Sequence, residues 1–221
     1  MTSRIFLDAL ESGVSLHLVN SFTMAEAARN PDLASVLKKD LLICDGKPLA
    51  FLIRRKHAEF QNIRGVDLMR NILSLSPPTH GHFFLGGEEK TLRSILLEAS
   101  KMNSNLNIKG VLAPPIIDRY SEYIDNWVNV INKSGATIIW VGLGTPKQDF
   151  VCHELAKRCR VVAIPVGAAF DFIGKTKKEA PILFQRFYLE WLYRLFKEPR
   201  RLLKRYIHGN LRFIFFILFG K

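Results

Sequence analysis

The stretch Thr137-Ile138-Ile139-Trp140-Val141-Gly142-Leu143-Gly144-Thr145-Pro146-Lys147-Gln148-Asp149-Phe150 decides the reading of this chain. Thr137 to Trp140 is an apolar, β-branched run of the kind that forms a buried strand. Gly142 and Gly144 then let the backbone turn and leave room for a close approach. Thr145 is suited to cap a helix, with Pro146 at its first position and Gln148 completing a capping box. Strand, glycine turn and helix N-terminus in succession aim N–H groups and a positive dipole end above the strand, where an anion fits. Lys147 and Gln148 add side-chain donors. The plain alternative is an ordinary strand-to-helix turn with no ligand.

Outward from that unit, strands alternate with helices. Residues 14–19, 41–44, 82–85, 108–112 and 161–166 read as strands, and 23–37, 48–56, 67–74, 88–101 and 118–133 as helices. Asn30-Pro31-Asp32 restarts a helix, with Pro31 at its first position. Ile124, Trp127, Val128 and Ile131 follow the i, i+3, i+4, i+7 spacing of a core-facing helix. The expected class is α/β, with a Rossmann-like, mainly parallel sheet flanked by helices. No internal repeat or low-complexity linker interrupts it.

The net charge is +12 and uneven: residues 181–221 carry nine Lys/Arg against two Glu. We expect an α/β core over 1–180 and a basic, aromatic-rich helical appendage over 181–221, broken by Pro199. Aromatics beside Arg and Lys suit an anionic bilayer surface, where each cation contributes about 1 kcal/mol. The apolar run Phe213 to Phe219 is seven residues long, whereas a span takes about 20. The tail is therefore expected to lie on a membrane and not to cross it. Self-association is a second use open to it, and a helix closing the domain with a solvated basic face is a third. Nucleic acid is disfavoured by the Phe-Ile-Phe-Phe-Ile-Leu-Phe run. The N-terminus does not read as a signal peptide. Cys44, Cys152 and Cys159 show no CxxC spacing and read as small core residues of a reducing compartment.

In open parallel sheets ligands bind beyond the carboxyl ends of the strands. That rule gathers Asn20, Asp45, Gly86, Gly87, Gly142, Gly144, Lys147, Gln148 and Asp171, with Arg64 and Asp67 just before a helix. Asp45 at a strand end can act as general base toward a hydroxyl, or it can simply cap an Asp-Gly turn. Arg64 can clamp a phosphate or stand as a surface cation. Glu88 and Glu89 would repel a diphosphate, so Gly86-Gly87 is assigned to sugar or ribose contacts. Asp171 is either a site residue or a structural carboxylate. The glycine turns match neither a P-loop nor GxGxxG, and neither HExxH nor Asp-x-Asp occurs. No metal and no cofactor is expected.

Taken in order, Asp45-Gly46, Arg64-Gly65-Val66-Asp67-Leu68, Phe84-Leu85-Gly86-Gly87, Val141 to Asp149, Val166-Gly167-Ala168-Ala169-Phe170-Asp171-Phe172, Glu190-Trp191-Leu192-Tyr193-Arg194 and Glu198-Pro199-Arg200-Arg201 resemble the WecG/TagA/CpsF family of bacterial glycosyltransferases. The resemblance implies inverting transfer of an N-acetylmannosamine-like or mannosaminuronic-acid-like sugar. The implied donor is a UDP-sugar and the implied acceptor a polyprenyl-diphosphate-linked, GlcNAc-like saccharide. It also implies action at the cytoplasmic membrane face, with the C-terminal segment helping to close the site. On the matching positions the resemblance implies that Asp45 is the catalytic aspartate, that Arg64 and Gln148 are site residues, and that Arg194 and Arg201 bind phosphate, with Lys204 as a further basic residue. Leu18, Asp149, Ala168 and the Lys47-Pro48 pair depart from the family's pattern. Other readings are a nucleotide-sugar-binding module without catalysis and a basic nucleic-acid-binding protein.

Overall fold

The computed structural model describes residues 13–54, 62–115, 119–186, 189–200 and 202–203. Among these, six strands alternate with helices. The order is β1 (Leu16–Val19), α1 (Ser21–Ala27), α2 (Pro31–Lys39), β2 (Leu41–Cys44), α3 (Lys47–Arg54), α4 (Gly65–Leu75), β3 (Gly81–Gly86), α5 (Glu89–Met102) and β4 (Asn107–Leu112). A 3-10 turn at Tyr120–Glu122, α6 (Ile124–Ser134), β5 (Ile138–Gly142), α7 (Lys147–Cys159), β6 (Val162–Pro165), α8 (Ala169–Ile173), α9 (Ile182–Arg186) and α10 (Glu190–Lys197) complete it. The α/β, mainly parallel reading is borne out.

Strands β4-β3-β5-β6 form one parallel sheet and β1-β2 a second. A parallel bridge between Ser15 and Ala163 joins them. The strand ends therefore emerge on one side. The chain leaves β3 outward to β4 and leaves β5 in the opposite direction to β6, so a crevice opens between the ends of β3 and β5, as such reversals produce.

Alternation along the strands builds two core layers. Phe84, Ile138, Trp140, Val162 and Ile164 face α4, α5 and α8. Phe83, Leu85, Ile139, Val141 and Ala163 face α6 and α7. The spaced residues of α6, Ile124, Trp127, Val128 and Ile131, are all buried in this second layer. In the first, Trp140 Nε1–H donates to His82 Nδ1 at 3.1 Å and His82 Nε2 meets Ser76 Oγ at 2.8 Å. Burial pushes His82 down to about 4, so it stays neutral in the core.

Local signals locate the helix starts. Asn30 Oδ1 accepts the N–H groups of Asp32 and Leu33, and Pro31 opens α2 as expected. The start of α7 differs from expectation. Pro146 holds the capping position and Lys147 begins the helix. The capping box is replaced by a brace. Gln148 Oε1 accepts the Gly144 N–H at 3.0 Å, and its Nε2 reaches Thr145 Oγ1 at 3.3 Å. The side chain folds back to the turn because Gly144 presents an amide there, one residue before the threonine. In the appendage Pro199 follows the end of α10, and Leu189, just before α10, is not helical.

At the crevice, Gly86 pairs with Gly142. Gly86 has φ +107°, and a Cβ there would lie 2.7 Å from the Gly142 carbonyl oxygen. Backbone on both sides cannot give way. Gly86→Ala is expected to destabilise the protein by on the order of 2 kcal/mol or more. Urea denaturation measures this, and an unchanged midpoint would mean the strand ends have room to spread.

Candidate active site

A cleft of about 1770 Å³ runs along the strand ends. Single-ligand pockets occupy roughly 300–1,000 Å³, so this one has room for two substrates together. Its floor comes from the core and one wall from α9 and α10.

Asn20 and Asp45 end adjacent strands. The Asp45 N–H donates to Val19 O at 2.8 Å, which continues the pairing of β1 with β2. Asn20 Oδ1 caps α1 through the N–H groups of Phe22 and Thr23, at 3.0 and 3.1 Å. Its side chain also hydrogen-bonds Asp45. The Gly65 N–H, at the start of α4, is a second donor to the Asp45 carboxylate. Burial pushes this carboxyl above the usual carboxylate range. The Arg194 charge and these two hydrogen bonds oppose that, while Glu190 adds to it. A shielded carboxyl raised toward neutrality and held by fixed donors has the character of a general base.

On the far side lie Gly87, Gly142, Gly144, Gln148 and Asp171. Gly142 must be bare: a Cβ would sit 2.7 Å from the Phe170 ring. The Gln148 N–H is taken up by Gly144 O at 3.0 Å, so the turn presents the helix's positive end and not that amide. Asp171 pairs with Lys177 at 2.9 Å, and Lys177 also meets Glu198 at 3.0 Å.

Arg64 is engaged from several sides. Its guanidinium donates to Asp67 at 3.3 Å, Gln185 at 2.9 Å and Glu179 at 2.9 Å, and pairs with Glu190 at 3.0 Å. Arg70 shares Asp67 and Glu179 at 3.1 and 2.6 Å. Gln185 belongs to α9 and Glu190 to α10, so Arg64 ties the core to the appendage. These acceptors compete with any diphosphate for its guanidinium. Arg194 lies over the Phe172 ring at 4.7 Å and carries its charge to the Asp45 side of the cleft.

The cleft thus gathers Asn20, Asp45, Arg64, Asp67, Gly87, Gly142, Gly144, Gln148, Asp171 and Arg194. Gly86 and Lys147 are not among its lining residues: Gly86 serves the strand contact, and Lys147 is the first residue of α7. Arg201 and Lys204 lie outside the described residues, as does the run 213–219. Glu179 and Gln185 were not singled out from the sequence, and Glu190 only as part of the stretch Glu190 to Arg194, with no site role. One signal for Glu190 was present, since residues 181–221 contain only two carboxylates and both, Glu190 and Glu198, line the cleft.

Burial raises the thiols of Cys44, to about 11, and of Cys152 and Cys159, which suits core residues better than nucleophiles. Among the described residues no helix is long and apolar enough to cross a membrane.

An N-acetylglucosaminyldiphosphoundecaprenol N-acetyl-beta-D-mannosaminyltransferase of Bacillus spizizenii is 29% identical to this chain over 184 residues, covering 80% of the chain and 68% of the relative. The model of the family described as "Glycosyl transferase WecG/TagA/CpsF family" matches residues 3–221. With a parallel α/β core, a cleft at the strand ends and a family match over nearly its whole length, the chain belongs to the WecG/TagA/CpsF family of glycosyl transferases.

Proposed function

We propose that this chain moves an N-acetylmannosamine-like or mannosaminuronic-acid-like sugar from a UDP-sugar to a polyprenyl-diphosphate-linked, GlcNAc-like saccharide, with inversion. The observation that carries this reading is Asp45, a raised carboxyl fixed by Asn20 and the Gly65 N–H in a cleft sized for two substrates. The name of the Bacillus relative supports the choice of sugar and acceptor.

In this mechanism Asp45 takes the proton from the acceptor hydroxyl as that oxygen attacks the anomeric carbon. The bond from that carbon to the diphosphate breaks, and UDP departs with the electron pair. Arg194 and the positive end of α7 meet the growing charge, so no metal is required. The exposed Ile182, Leu183 and Phe196, beside Arg186, Lys197 and Arg200, suit peripheral docking on an anionic bilayer at the cytoplasmic face.

The test is UDP release by the full-length protein across a panel of UDP-sugars, with and without a short-chain polyprenyl-diphosphate-GlcNAc. Release that needs both one donor and the acceptor is expected. UDP binding without release for any pair would favour a nucleotide-sugar-binding module instead.

A further inference from the structure

Behind the cleft, four titratable side chains are packed together between β1, α7 and the turn from α2 into β2. His17 of β1 is fully buried. Its Nδ1 lies 3.0 Å from Asp149 Oδ1, in the first turn of α7, and its Nε2 lies 3.1 Å from Asp40 Oδ2. His153 Nδ1, one turn further along α7, meets the same Asp40 oxygen at 2.8 Å. The second oxygen of Asp149 is buried with no hydrogen-bond partner among the described residues. Cys152, also on α7, faces both carboxylates as a neutral thiol.

A neutral imidazole has one donor and one lone pair and cannot satisfy two carboxylates. Only the imidazolium donates from both nitrogens. Burial opposes that charge, but the bonds to Asp149 and Asp40 outweigh it and raise His17 above 6.5. Burial would raise Asp40, yet its bonds to the two histidines hold it below the usual range. The separations are hydrogen-bond lengths, and no group of three or more such side chains among the described residues is arranged to hold a metal ion.

The location gives the cluster its consequence. His17 and Asp40 belong to the β1-β2 unit, whereas Asp149 and His153 belong to α7, which packs on the four-stranded sheet. Between strands, these units share the bridge from Ser15 to Ala163. The same seam divides the cleft. Asn20 and Asp45 lie on one side, and the turn from Gly142 to Gln148 on the other. His17 is three residues before Asn20, and Asp149 directly follows Gln148.

We propose that His17 is a positioning residue: clamped as an imidazolium between Asp149 and Asp40, it holds the Asp45 half of the cleft in register with the glycine-turn half. It touches neither substrate. The inference rests on the transferase reading for its kinetic consequence. A raised folded-state value means the clamp is complete below about pH 6.5, the unfolded value. It is lost as pH rises through the folded value. Turnover then declines on the alkaline side for this reason.

The experiment is His17→Gln in the full-length chain. Glutamine can serve one carboxylate but not both, and it does not titrate. The expected result is a fall in kcat of about tenfold at pH 7 with UDP affinity within about twofold, and loss of the alkaline decline expected of the wild type. At one fixed pH, amide exchange in Leu16–Val19 and Leu41–Cys44 should quicken by about tenfold while β3 and β5 keep wild-type protection. Wild-type turnover with unchanged β1-β2 protection would overturn the proposal. So would a joint loss of turnover, UDP affinity and protection in all strands, which marks general destabilisation. Should His17→Gln not fold, Asp40→Asn removes one arm and is judged by the same readouts. If the wild type transfers no sugar, the transferase reading fails alone and the exchange measurement still decides whether the clamp exists.

Discussion

Asp45→Asn is expected to lower kcat by about 10²–10⁴, the range for loss of a general base, while UDP-sugar affinity stays within about twofold. Asparagine keeps the size of the side chain and can still accept from the Gly65 N–H. What it cannot do is take a proton. The pH profile sharpens the point. Asp45 works only when ionised, and its carboxyl is raised by burial. Wild-type kcat/KM should therefore fall on the acid side at a pH above the ordinary carboxylate value of about 3.9. The variant should lack that limb. Stability moves the other way. A carboxyl raised on folding contributes stability below its unfolded value and loses it as pH rises through the folded value. At neutral pH the Asp45 charge therefore costs stability, and Asp45→Asn should melt at or above the wild-type temperature. Near-normal turnover in the variant would remove Asp45 as the base.

Truncation after Ala180 should lower turnover by about 10²–10³, on the scale of losing a charge-stabilising group, and abolish sedimentation with anionic vesicles. The cut removes Arg194, Glu190, Gln185 and Trp191, which together form one wall of the cleft. It leaves both core layers whole, because none of their buried members lies beyond Ile173. A cooperative melting transition should thus survive. Arg194→Ala separates the two roles. It should reproduce much of the kinetic loss and leave vesicle binding intact. Truncated protein that still sedimented with vesicles would count against the membrane role of the appendage, and one that still turned over normally would place the charge stabilisation in the core.

The same division between local and distant effects governs what could be read in advance. The buried strands, the helix restarted at Asn30-Pro31 and the core stripe of α6 were legible because each rests on residues within one or two turns of one another. The start of α7 was misread because Gln148 had two acceptable local partners, and the choice of Gly144 over a capping box depends on how the turn is laid against the sheet. Gly86 was assigned to a ligand because its nearness to Gly142 is set by strand pairing, which a glycine pair does not reveal. His17 drew no attention at all, since an isolated histidine in a strand has no local signature.

By itself the sequence determined the α/β class, the direction in which the strand ends point, and the identity of Asp45, Asn20 and Gln148 as candidates at one edge, whereas Arg194 came only through the family resemblance. Period, capping and turn chemistry act over a few residues, and they suffice for that. Only the tertiary structure decided partners. Arg64 meets Glu179 and Gln185 across 115 and 121 residues, and His17 meets Asp149 across 132. Such choices are made by the burial of charge, which requires an opposite charge at hydrogen-bond distance. Which of a chain's many carboxylates answers that need is settled when the sheets and the appendage close around it.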